Sequence, residues 1–502
     1  MKVRLFSYAL LAFLLILLGK LSGFFKDILF TYYYGVSAVT DGYFLANSIA
    51  SLLYIAVYSS IPVLVVPLYS RLLSANDRAQ TDANLTRVLA FFLAISVVLG
   101  AGVTVGAQPL VELFAGAASR EVKALAGDYL GIVALTFALS TVVAFLNALQ
   151  TVHKRPLPSY IVPLVNNMMF CLGLVLFSAS SGLTHILYLG VAAWLLLMVA
   201  NAWTSRRYFT LNFAAFAEPL KGPGLLMLFV PAALSFYVEQ VNSYVGVYFA
   251  SQLGAGAISV LGYAGKLNLI FLSIFLVFLT ATLFPKIAAL VARDDGDGLD
   301  DYLNLCLRII FLCALPVVLF MIFYAHPIVE LLFMRGKFSE ADVARVAGVL
   351  SVILLAVPFA LVRDLLNRVF FSCGNTSRPF IISLASLLLN LAISLLAYRT
   401  FGLQGLAWAV VFATVLSFML GAYFVKREAG IALLRPNLRS LCIALACLAF
   451  AFALLRVMDA YLSSLWLVLC IPFAGCYFAA LYACRVRETK LLIGWARRKL
   501  GR

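Results

Sequence analysis

The chain has 502 residues, of which 64% are hydrophobic and only 12% are charged. Soluble domains are nearer half apolar and a quarter charged, so this composition excludes a soluble protein with one anchor. The net charge of +16 is spread over many short loops. That distribution argues against nucleic acid as a partner and favours the basic cytoplasmic loops of a membrane protein.

Fourteen apolar segments follow one another along the chain, and each is long enough to cross a bilayer, which takes about 20 residues. The apolar runs are continuous rather than alternating, which predicts helices and not a β-barrel. The segments lie near residues 5–34, 41–72, 84–107, 122–150, 157–178, 183–205, 222–251, 256–291, 302–334, 341–372, 379–400, 402–425, 437–456 and 463–484. The predicted fold class is an all-α polytopic membrane protein with about 14 transmembrane helices and no separate soluble domain.

The basic residues predict how these helices are oriented. An even number of spans places both termini on one side of the membrane. If that side is the cytoplasm, most of the 37 lysines and arginines fall on it, as the positive-inside rule requires. The basic, amphipathic tail RVRETKLLIGWARRKLGR, residues 485–502, is expected to lie on the anionic inner leaflet.

The chain also contains a duplication. QPLVELF at Gln108 is similar to HPIVELL at His326, and RPLPSYIVPLVNN at Arg155 is similar to RPFIISLASLLLN at Arg378. Each repeat holds six spans, so the two halves insert in the same orientation, which is a transporter pattern with the substrate site between the halves. The predicted domains are a six-helix bundle at 1–215, a second at 216–428, and two additional helices with the tail at 429–502.

Charged residues inside the first span need an explanation, because an ionisable group in a bilayer costs a few kcal/mol and is rarely left facing lipid. The stretch GKLSGFFKD contains Lys20, Lys26 and Asp27. Lys20 lies 15 residues beyond Leu5, roughly 22 Å along a helix, too far for its stem to reach the cytoplasmic surface easily. Lys26 is nearer the outer end and can snorkel.

The second half carries a similar polar set. Lys266 lies inside the eighth span, and Asp41 begins the equivalent helix of the first half. The seventh span contains Glu239, Gln240 and Asn242. One interpretation is a set of internal salt bridges, Lys20 with Asp27 and Lys266 with Glu239. The other is a cationic cavity for an anionic substrate, since lysine binds phosphate well as a point charge; the two are compatible.

The sequence contains no enzyme motif. HExxH, GxSxG and P-loop patterns are missing, and the nine cysteines form neither a CxxC nor a metal-like pattern with the three histidines. We therefore predict a transporter without catalytic residues, metal or cofactor.

Four short sequence motifs together resemble the MurJ (MviN) lipid II flippases of the multidrug/oligosaccharidyl-lipid/polysaccharide exporter superfamily. These are GKLSGFFKD in the first helix, TDGYF with Asp41, AGKL with Lys266, and RGKFSEAD at Arg335. The likeness covers nearly the whole chain. Lysines stand where the family has cavity arginines, and the family's further arginine in helix 2 falls at Tyr54.

The resemblance implies a flippase of the bacterial inner membrane that moves a polyprenyl-diphosphate-linked saccharide, first of all lipid II, to the outer leaflet by alternating access. Lys20, Lys26 and Lys266 would bind the diphosphate. Asp41 would help gate the outer mouth. The remaining cavity polar residues would be Asp27, Glu239, Gln240 and Asn242.

Some members of the family carry what looks like a sodium site, whose counterpart here would be Glu239, Asn390 and Ser394, with Ser394 in place of an aspartate. The resemblance thus leaves coupling open between the membrane potential and Na⁺ or H⁺. Expected partners are the polyprenyl-linked glycolipid, anionic inner-leaflet lipids and proteins of cell-wall synthesis, and not nucleic acid.

Three alternatives remain at this point. An exopolysaccharide or O-antigen repeat-unit flippase would be indicated by neighbouring genes for glycosyltransferases and a polymerase. A cation-coupled drug exporter would need acids rather than lysines in its cavity, with Glu239 at the centre. A membrane glycosyltransferase would need an acidic active-site loop, and none is clear in this sequence.

Overall fold

The computed structural model of the chain describes residues 2–74, 77–177, 183–216, 224–293, 296–375, 377–431, 433, 437–486 and 488. Within these residues all regular structure is helical, and no strand occurs. The helices, in chain order, are α1 (Lys2–Tyr34), α2 (Ala38–Ser74), α3 (Arg78–Val105), α4 (Ala107–Phe114), α5 (Arg120–Ala134), α6 (Thr136–Val152), α7 (Leu157–Phe177), α8 (Thr184–Ser205), α9 (Phe213–Phe216), α10 (Gly224–Ala250), α11 (Ala257–Thr282), α12 (Phe284–Ala292), α13 (Gly296–Phe323), α14 (Ala325–Phe333), α15 (Glu340–Ile353), α16 (Val357–Ser372), α17 (Ser377–Ala429), α18 (Leu438–Leu462) and α19 (Trp466–Ala483).

The helices confirm the predicted polytopic fold. In the described part of the chain, 10 helical stretches are long and apolar enough to cross a membrane. The longest, α17, is broken at Gly402, where φ is 57° and ψ is −137°, so it comprises two spans. The three remaining predicted segments correspond to α1, to α10, and to α11 with α12, and α1 carries Lys20, Lys26 and Asp27.

The order and lengths of the helices support the duplication. Helices α3 and α13 both have 28 residues, and each is followed by a short helix, α4 or α14, of 8 or 9 residues. Helices α6 and α16 both end in a Schellman turn. The left-handed residue of that turn is Lys154 (φ 57°) after α6 and Gly374 (φ 70°) after α16.

The contacts divide the chain into two units, which are described separately. Unit 1 comprises Met1–Leu261 and Leu332–Val343, and unit 2 comprises Gly262–Leu331 and Ala344–Arg502. In unit 1, α2 packs against α5, α6 and α10, while α1 packs against α7. The predicted domain boundaries at 215 and 428 remain predictions. The tail from residue 489 onward lies outside the described residues, so its expected place on the inner leaflet also remains a prediction.

In unit 2, α16 packs against α13 and α17, and α18 packs against α19. A polar cluster joins α13 to the segment that follows α19. Arg308 pairs with Glu488, and its Nη1 donates to Asn437 Oδ1 over 2.9 Å. Because Glu488 and Asn437 are buried, these bonds satisfy polar groups that would otherwise be costly to bury.

A second polar cluster lies in unit 1, where α2, α6 and α8 end. His153 Nε2 lies 2.7 Å from Tyr69 Oη, and the His153 ring stacks on Tyr208 with 4.1 Å between centroids. Burial, and then the positive charge of Arg155, lower the pKa of His153 below its ordinary value of 6.5. The imidazole is therefore neutral at neutral pH.

We predict that this cluster makes the protein less stable in mild acid. The pKa of His153 is lower in the folded protein than in the unfolded chain, so its stabilising contribution is complete above pH 6.5 and is lost as the pH falls through the folded-state pKa. The thermal midpoint of the wild type, compared between pH 7.5 and pH 5.5, should fall further than that of His153→Gln. An equal fall in the two proteins would contradict a role for His153.

Candidate functional site

The C-terminal half of α1 holds two of the predicted site residues side by side. Lys26 Nζ lies 3.8 Å from Asp27 Oδ1, and both side chains are largely buried. The same ammonium group lies 5.4 Å from the centroid of the Phe170 ring. A cation over an aromatic face is attracted by the quadrupole of the ring. Among the described residues Asp27 therefore pairs with Lys26, and not with Lys20 as one interpretation of the sequence proposed.

Aromatic side chains from three helices fix this position. Phe30 of α1 packs against Tyr43 of α2 and Phe170 of α7, with ring centroids 5.0 and 5.8 Å apart. Tyr43 and Phe170 also contact each other, at 5.7 Å. Such tilted and edge-on pairs add to the burial of apolar surface. Phe170 carries no charge and lies in a long apolar run, so the sequence alone offered no sign of its contact with Lys26.

Lys20 differs from Lys26 because its side chain is exposed, and it has no ion pair among the described residues. Its neighbours on α1 face α7 instead. Asn167 Nδ2 donates to Gly19 O and to Ser22 Oγ, over 3.3 and 3.1 Å. A side chain at Gly23 would come within 3.2 Å of that amide. The small residues around Lys20 thus let α1 and α7 approach closely, and they leave the lysine off the contact face.

Asp41, the predicted gate residue, caps the beginning of α11. It is 1% exposed and accepts hydrogen bonds from Gly256 N and Ser259 N, over 2.6 and 2.7 Å. Ser259 Oγ also bonds to the carboxylate and lies 2.7 Å from Thr40 Oγ1. A carboxylate at a helix N-terminus is favoured by the unpaired N–H groups and by the helix dipole.

The residues that precede α11 indicate that this helix has no capping side chain of its own. Helix α11 follows Gly254 and Gly256, and glycine has no side chain that could accept from the first turn. A helix that lacks its own capping side chain needs an acceptor from elsewhere. Asp41 supplies it from α2, and the contact joins the first helix pair of one repeat to the equivalent pair of the other. Ser259 was not among the predicted site residues.

A second close contact in unit 1 joins the end of α1 to the turn between α14 and α15. Lys337 N donates to Tyr32 O over 2.9 Å. Gly336 has φ 61°, and a Cβ there would lie 2.2 Å from Tyr32 O. A Cβ at Gly35 would likewise lie 2.4 Å from Lys337 O. Both glycines are therefore required for the backbones to meet, and Gly336 lies in RGKFSEAD, one of the segments on which the family resemblance rests.

We expect Gly336→Ala to disrupt this contact. The left-handed conformation alone costs roughly 1–2 kcal/mol for a residue with a Cβ, and the clash with Tyr32 O adds to that cost. The activity of the protein and its thermal midpoint should both fall. Gly374→Ala is the matched control, because Gly374 has φ 70° and nothing within 4 Å of its would-be Cβ. Equal losses in the two variants would show that the Tyr32 contact is not the cause.

The polar residues of α10 are less enclosed. Glu239 is exposed, whereas Gln240 and Asn242 are partly buried. Nearer the C-terminal end of the same helix, Tyr244 Oη donates to Phe114 O. Ser251 Oγ donates to Ala115 O over 2.7 Å. These bonds anchor α10 to the end of α4 and leave Glu239 more accessible than its neighbours.

The site residues of unit 2 are Lys266 of α11, which is partly buried, and the pair Asn390 and Ser394 of α17. Asn390 and Ser394 are 3% and 1% exposed, and Ser394 Oγ lies 3.4 Å from Asn390 Oδ1. This pair offers neutral oxygens only. Among the described residues no group of three or more His, Cys, Asp and Glu side chains could hold a metal ion.

Tyr54, at which the resemblance predicts the family's helix 2 arginine, belongs to the core of unit 1. Its hydroxyl donates to Phe137 O over 2.6 Å and lies 2.6 Å from Thr141 Oγ1. Its ring stacks on Phe137, with 4.2 Å between centroids and 5° between the planes. Helix α2 therefore presents a packed phenol at this position and no cation.

We expect Tyr54→Phe to reduce stability without changing substrate affinity. Loss of a buried hydrogen-bonding partner costs about 1–3 kcal/mol, which a thermal melt of the purified protein would detect. Tyr58→Phe, one turn further along α2, should change the melt little. A loss of activity by Tyr54→Phe at unchanged stability would mean that the hydroxyl has a role beyond the core.

Comparison with known proteins identifies the family. A family model described as "Lipid II flippase MurJ" matches residues 30–475. The probable lipid II flippase MurJ of Aquifex aeolicus is 26% identical over 380 residues, which cover 75% of this chain and 74% of that protein. The corresponding protein of Synechocystis is 27% identical over 449 residues, with coverage of 83% and 81%.

Solved structures show the same fold. A lipid II flippase MurJ in an inward closed conformation superposes with a TM-score of 0.78 and 21% identity, covering 99% of this chain and all of that one. An inward-facing multidrug MATE transporter superposes with a TM-score of 0.66 and 15% identity, over 83% and 94% of the two chains.

These matches confirm the family resemblance that was drawn from the sequence. They make the protein a transporter rather than an enzyme, with a polyprenyl-linked glycolipid as substrate, and a multi-pass protein of the bacterial inner membrane. A family model that covers nearly nine-tenths of the sequence, together with the shared fold, places this chain in the lipid II flippase (MurJ) family.

Proposed function

We propose that this chain moves lipid II from the inner to the outer leaflet by alternating access, and that Lys20, Lys26 and Lys266 hold the diphosphate. The assignment of these residues rests on the surroundings of Lys20. It is an exposed lysine in an apolar helix, it has no ion pair among the described residues, and it lies far from the helix ends.

A lysine in that position has few acceptable surroundings. Facing acyl chains would cost a few kcal/mol, and its stem is too short to reach the membrane surface. A water-filled cavity satisfies the ammonium group and leaves it available to an anion. A diphosphate is the part of lipid II that such a group would bind, because charge-assisted hydrogen bonds to phosphate are among the strong ones.

Lysine in place of arginine changes the kind of binding. An ammonium group is a compact point charge with three rotatable donors, whereas a guanidinium binds phosphate through a planar fork. Lys26 is held in place by Asp27 and Phe170, while Lys20 is free to follow the headgroup. Because Tyr54 is buried in the core, three ammonium groups are left to bind the diphosphate. Loss of any one of them should therefore weaken binding more than it would in a site with an additional arginine.

The contacts of Asp41 and of Gly336 support a gating role. On the positive-inside assignment, with both termini in the cytoplasm, both contacts lie at the outer end of unit 1. Each joins a helix of the first repeat to a segment of the second. Alternating access requires that such contacts break when the outer mouth opens and form again when it closes.

The membrane potential is the driving force that we favour. Moving one negative charge outward gains roughly 2.3 kcal/mol per 100 mV. Of the three residues considered for a cation site, Asn390 and Ser394 are neutral, and only Glu239, which is exposed, carries a negative charge. Collapse of the potential should therefore stop flipping, and replacement of Na⁺ by K⁺ at constant potential should not.

Binding of the basic tail to anionic inner-leaflet lipids and contact with cell-wall synthesis proteins belong to the same proposal.

The experiment that tests the function is depletion of this protein in its own cell. Lipid II on the outer leaflet would be measured as the fraction cleaved by an externally added lipid II-degrading enzyme. We expect that fraction to fall while total lipid II rises. If outward lipid II stays normal and another surface glycan disappears, the substrate is a different polyprenyl-linked unit and the proposal is wrong.

A further inference from the structure

A cavity of about 320 Å³ lies in unit 1, where α6 ends, α7 begins and α8 ends. Three arginines line it, namely Arg155, Arg206 and Arg207, together with Gln150 and Trp203. None of the described residues that line it is acidic. The cavity shares no residue with the proposed diphosphate site, and the function proposed above does not use it.

Local structure brings the arginines to this place. In the Schellman turn after α6, Arg155 N donates to Gln150 O over 2.9 Å, which folds the chain back over the end of the helix. Arg206 follows the last residue of α8, and its guanidinium lies 5.0 Å from the centroid of the Trp203 ring. Arg207 O accepts from Arg78 Nη2 over 3.1 Å, so the backbone of the α8 end is held against the beginning of α3.

Gln150 provides a second and independent sign of a ligand. It is 1% exposed, and its Nε2 donates to the side chains of Thr204 and Ser205 over 2.9 and 2.8 Å. Its Oε1 is buried without a hydrogen-bond partner among the described residues. Buried acceptors are rarely left unpaired, so a donor on a bound molecule would complete this group.

The surroundings favour a lipid over a free anion. Trp203 is 65% exposed, and exposed tryptophan at the end of a span is typical of the headgroup level of a membrane. On the positive-inside assignment this is the cytoplasmic end. Basic pockets between helices on that side bind anionic headgroups. A free phosphate would leave both the indole and the adjoining apolar helix surface without a partner.

We propose that this cavity binds the phosphodiester headgroup of an anionic phospholipid whose headgroup carries a hydroxyl, as in phosphatidylglycerol. The phosphodiester lies among Arg155, Arg206 and Arg207, a headgroup hydroxyl donates to Gln150 Oε1, and the acyl chains pass beside Trp203. The bound lipid joins the ends of α6, α7 and α8 at the inner leaflet.

Native mass spectrometry of the full-length purified protein tests the proposal. Phosphatidylglycerol, phosphatidylcholine and phosphatidylmethanol would each be added, and the fraction of protein that retains one lipid on activation would be measured. We expect phosphatidylglycerol to be retained best and phosphatidylcholine least. Phosphatidylmethanol, which has the phosphodiester but no hydroxyl, should lie between them; retention equal to that of phosphatidylglycerol would overturn the role of Gln150.

Substitutions test the arginines. The triple variant Arg155→Gln, Arg206→Gln and Arg207→Gln should bind phosphatidylglycerol at least about tenfold more weakly. The same three positions changed to lysine should keep most of the binding, which guards against loss of fold. The matched control replaces Arg71, Lys426 and Arg427, exposed basic residues at helix ends, by glutamine and should bind as the wild type does.

Three outcomes would overturn the site. One is equal retention of phosphatidylglycerol by the wild type and the glutamine triple variant. Another is an equal loss of phosphatidylglycerol binding in the Arg71, Lys426 and Arg427 control, which would show that the lipid binds to basic surface residues in general. The third is thermal stabilisation by millimolar inorganic phosphate that matches that by phosphatidylglycerol, because the cavity would then be a site for a soluble anion. Binding of lipid II should be the same in all variants.

Discussion

Replacing Lys20 and Lys266 together by alanine is expected to abolish flipping of lipid II, while each single variant should lose about tenfold or more. A hydrogen bond to a charged group is worth about 1.5–3 kcal/mol, and each tenfold change in an equilibrium corresponds to about 1.4 kcal/mol. Lys26, which is held by Asp27 and Phe170, would be the one remaining ammonium group of the proposed site and cannot replace both lost charges. The measurement is transfer of lipid II across reconstituted vesicles.

Two further variants decide whether charge is the cause. Lysine to arginine at both positions keeps the charge and should retain activity. The control Arg71→Ala with Lys426→Ala removes two exposed basic side chains and should leave transport unchanged. If the Lys20 and Lys266 double variant folds and still transports, the lysines serve only the structure and the diphosphate site lies elsewhere.

Asp41→Ala is expected to open the outer end of unit 1. The substitution leaves Gly256 N and Ser259 N without their acceptor. Each lost bond to a buried carboxylate is worth about 1.5–3 kcal/mol. Flipping should fall because the outer gate no longer closes. Asp41→Asn, which keeps an acceptor and loses the charge at the helix N-terminus, should show a smaller effect.

A cysteine at Ala257, which is 1% exposed, reports on this opening. A membrane-impermeant maleimide added from outside should label Ala257→Cys quickly when Asp41 is alanine, and slowly when Asp41 is present. Glu121→Gln is the matched control, since Glu121 is an exposed acid in the first turn of α5. The gating role is wrong if Ala257→Cys stays protected in the Asp41→Ala protein.

The sequence predicted the site in outline. Lys20 and Lys26 stand out because a charge inside an apolar run is costly, and Asp41 stands out beside them through the family motif. What Asp41 binds could not be predicted, since Gly256 and Ser259 lie more than two hundred residues away and carry no charge. Of the two interpretations of the charged residues, the salt bridge between Lys20 and Asp27 does not form, because Asp27 pairs with Lys26 instead. Helix periodicity places Lys20 and Asp27 on one face and cannot show that Lys26 also lies over the Phe170 ring.

The amino-acid sequence by itself determined the all-α membrane fold, the number of spans, the duplication and the family. Each of these follows from local quantities. The length of the apolar runs gives the fold and the number of spans, and short motifs give the duplication and the family. Only the tertiary structure decided that Tyr54 is part of the core, that Gly336 meets Tyr32 and that three arginines surround a cavity beside Gln150. Such contacts depend on which faces of distant helices meet, and a periodic pattern of apolar residues allows many such pairings at nearly equal free energy.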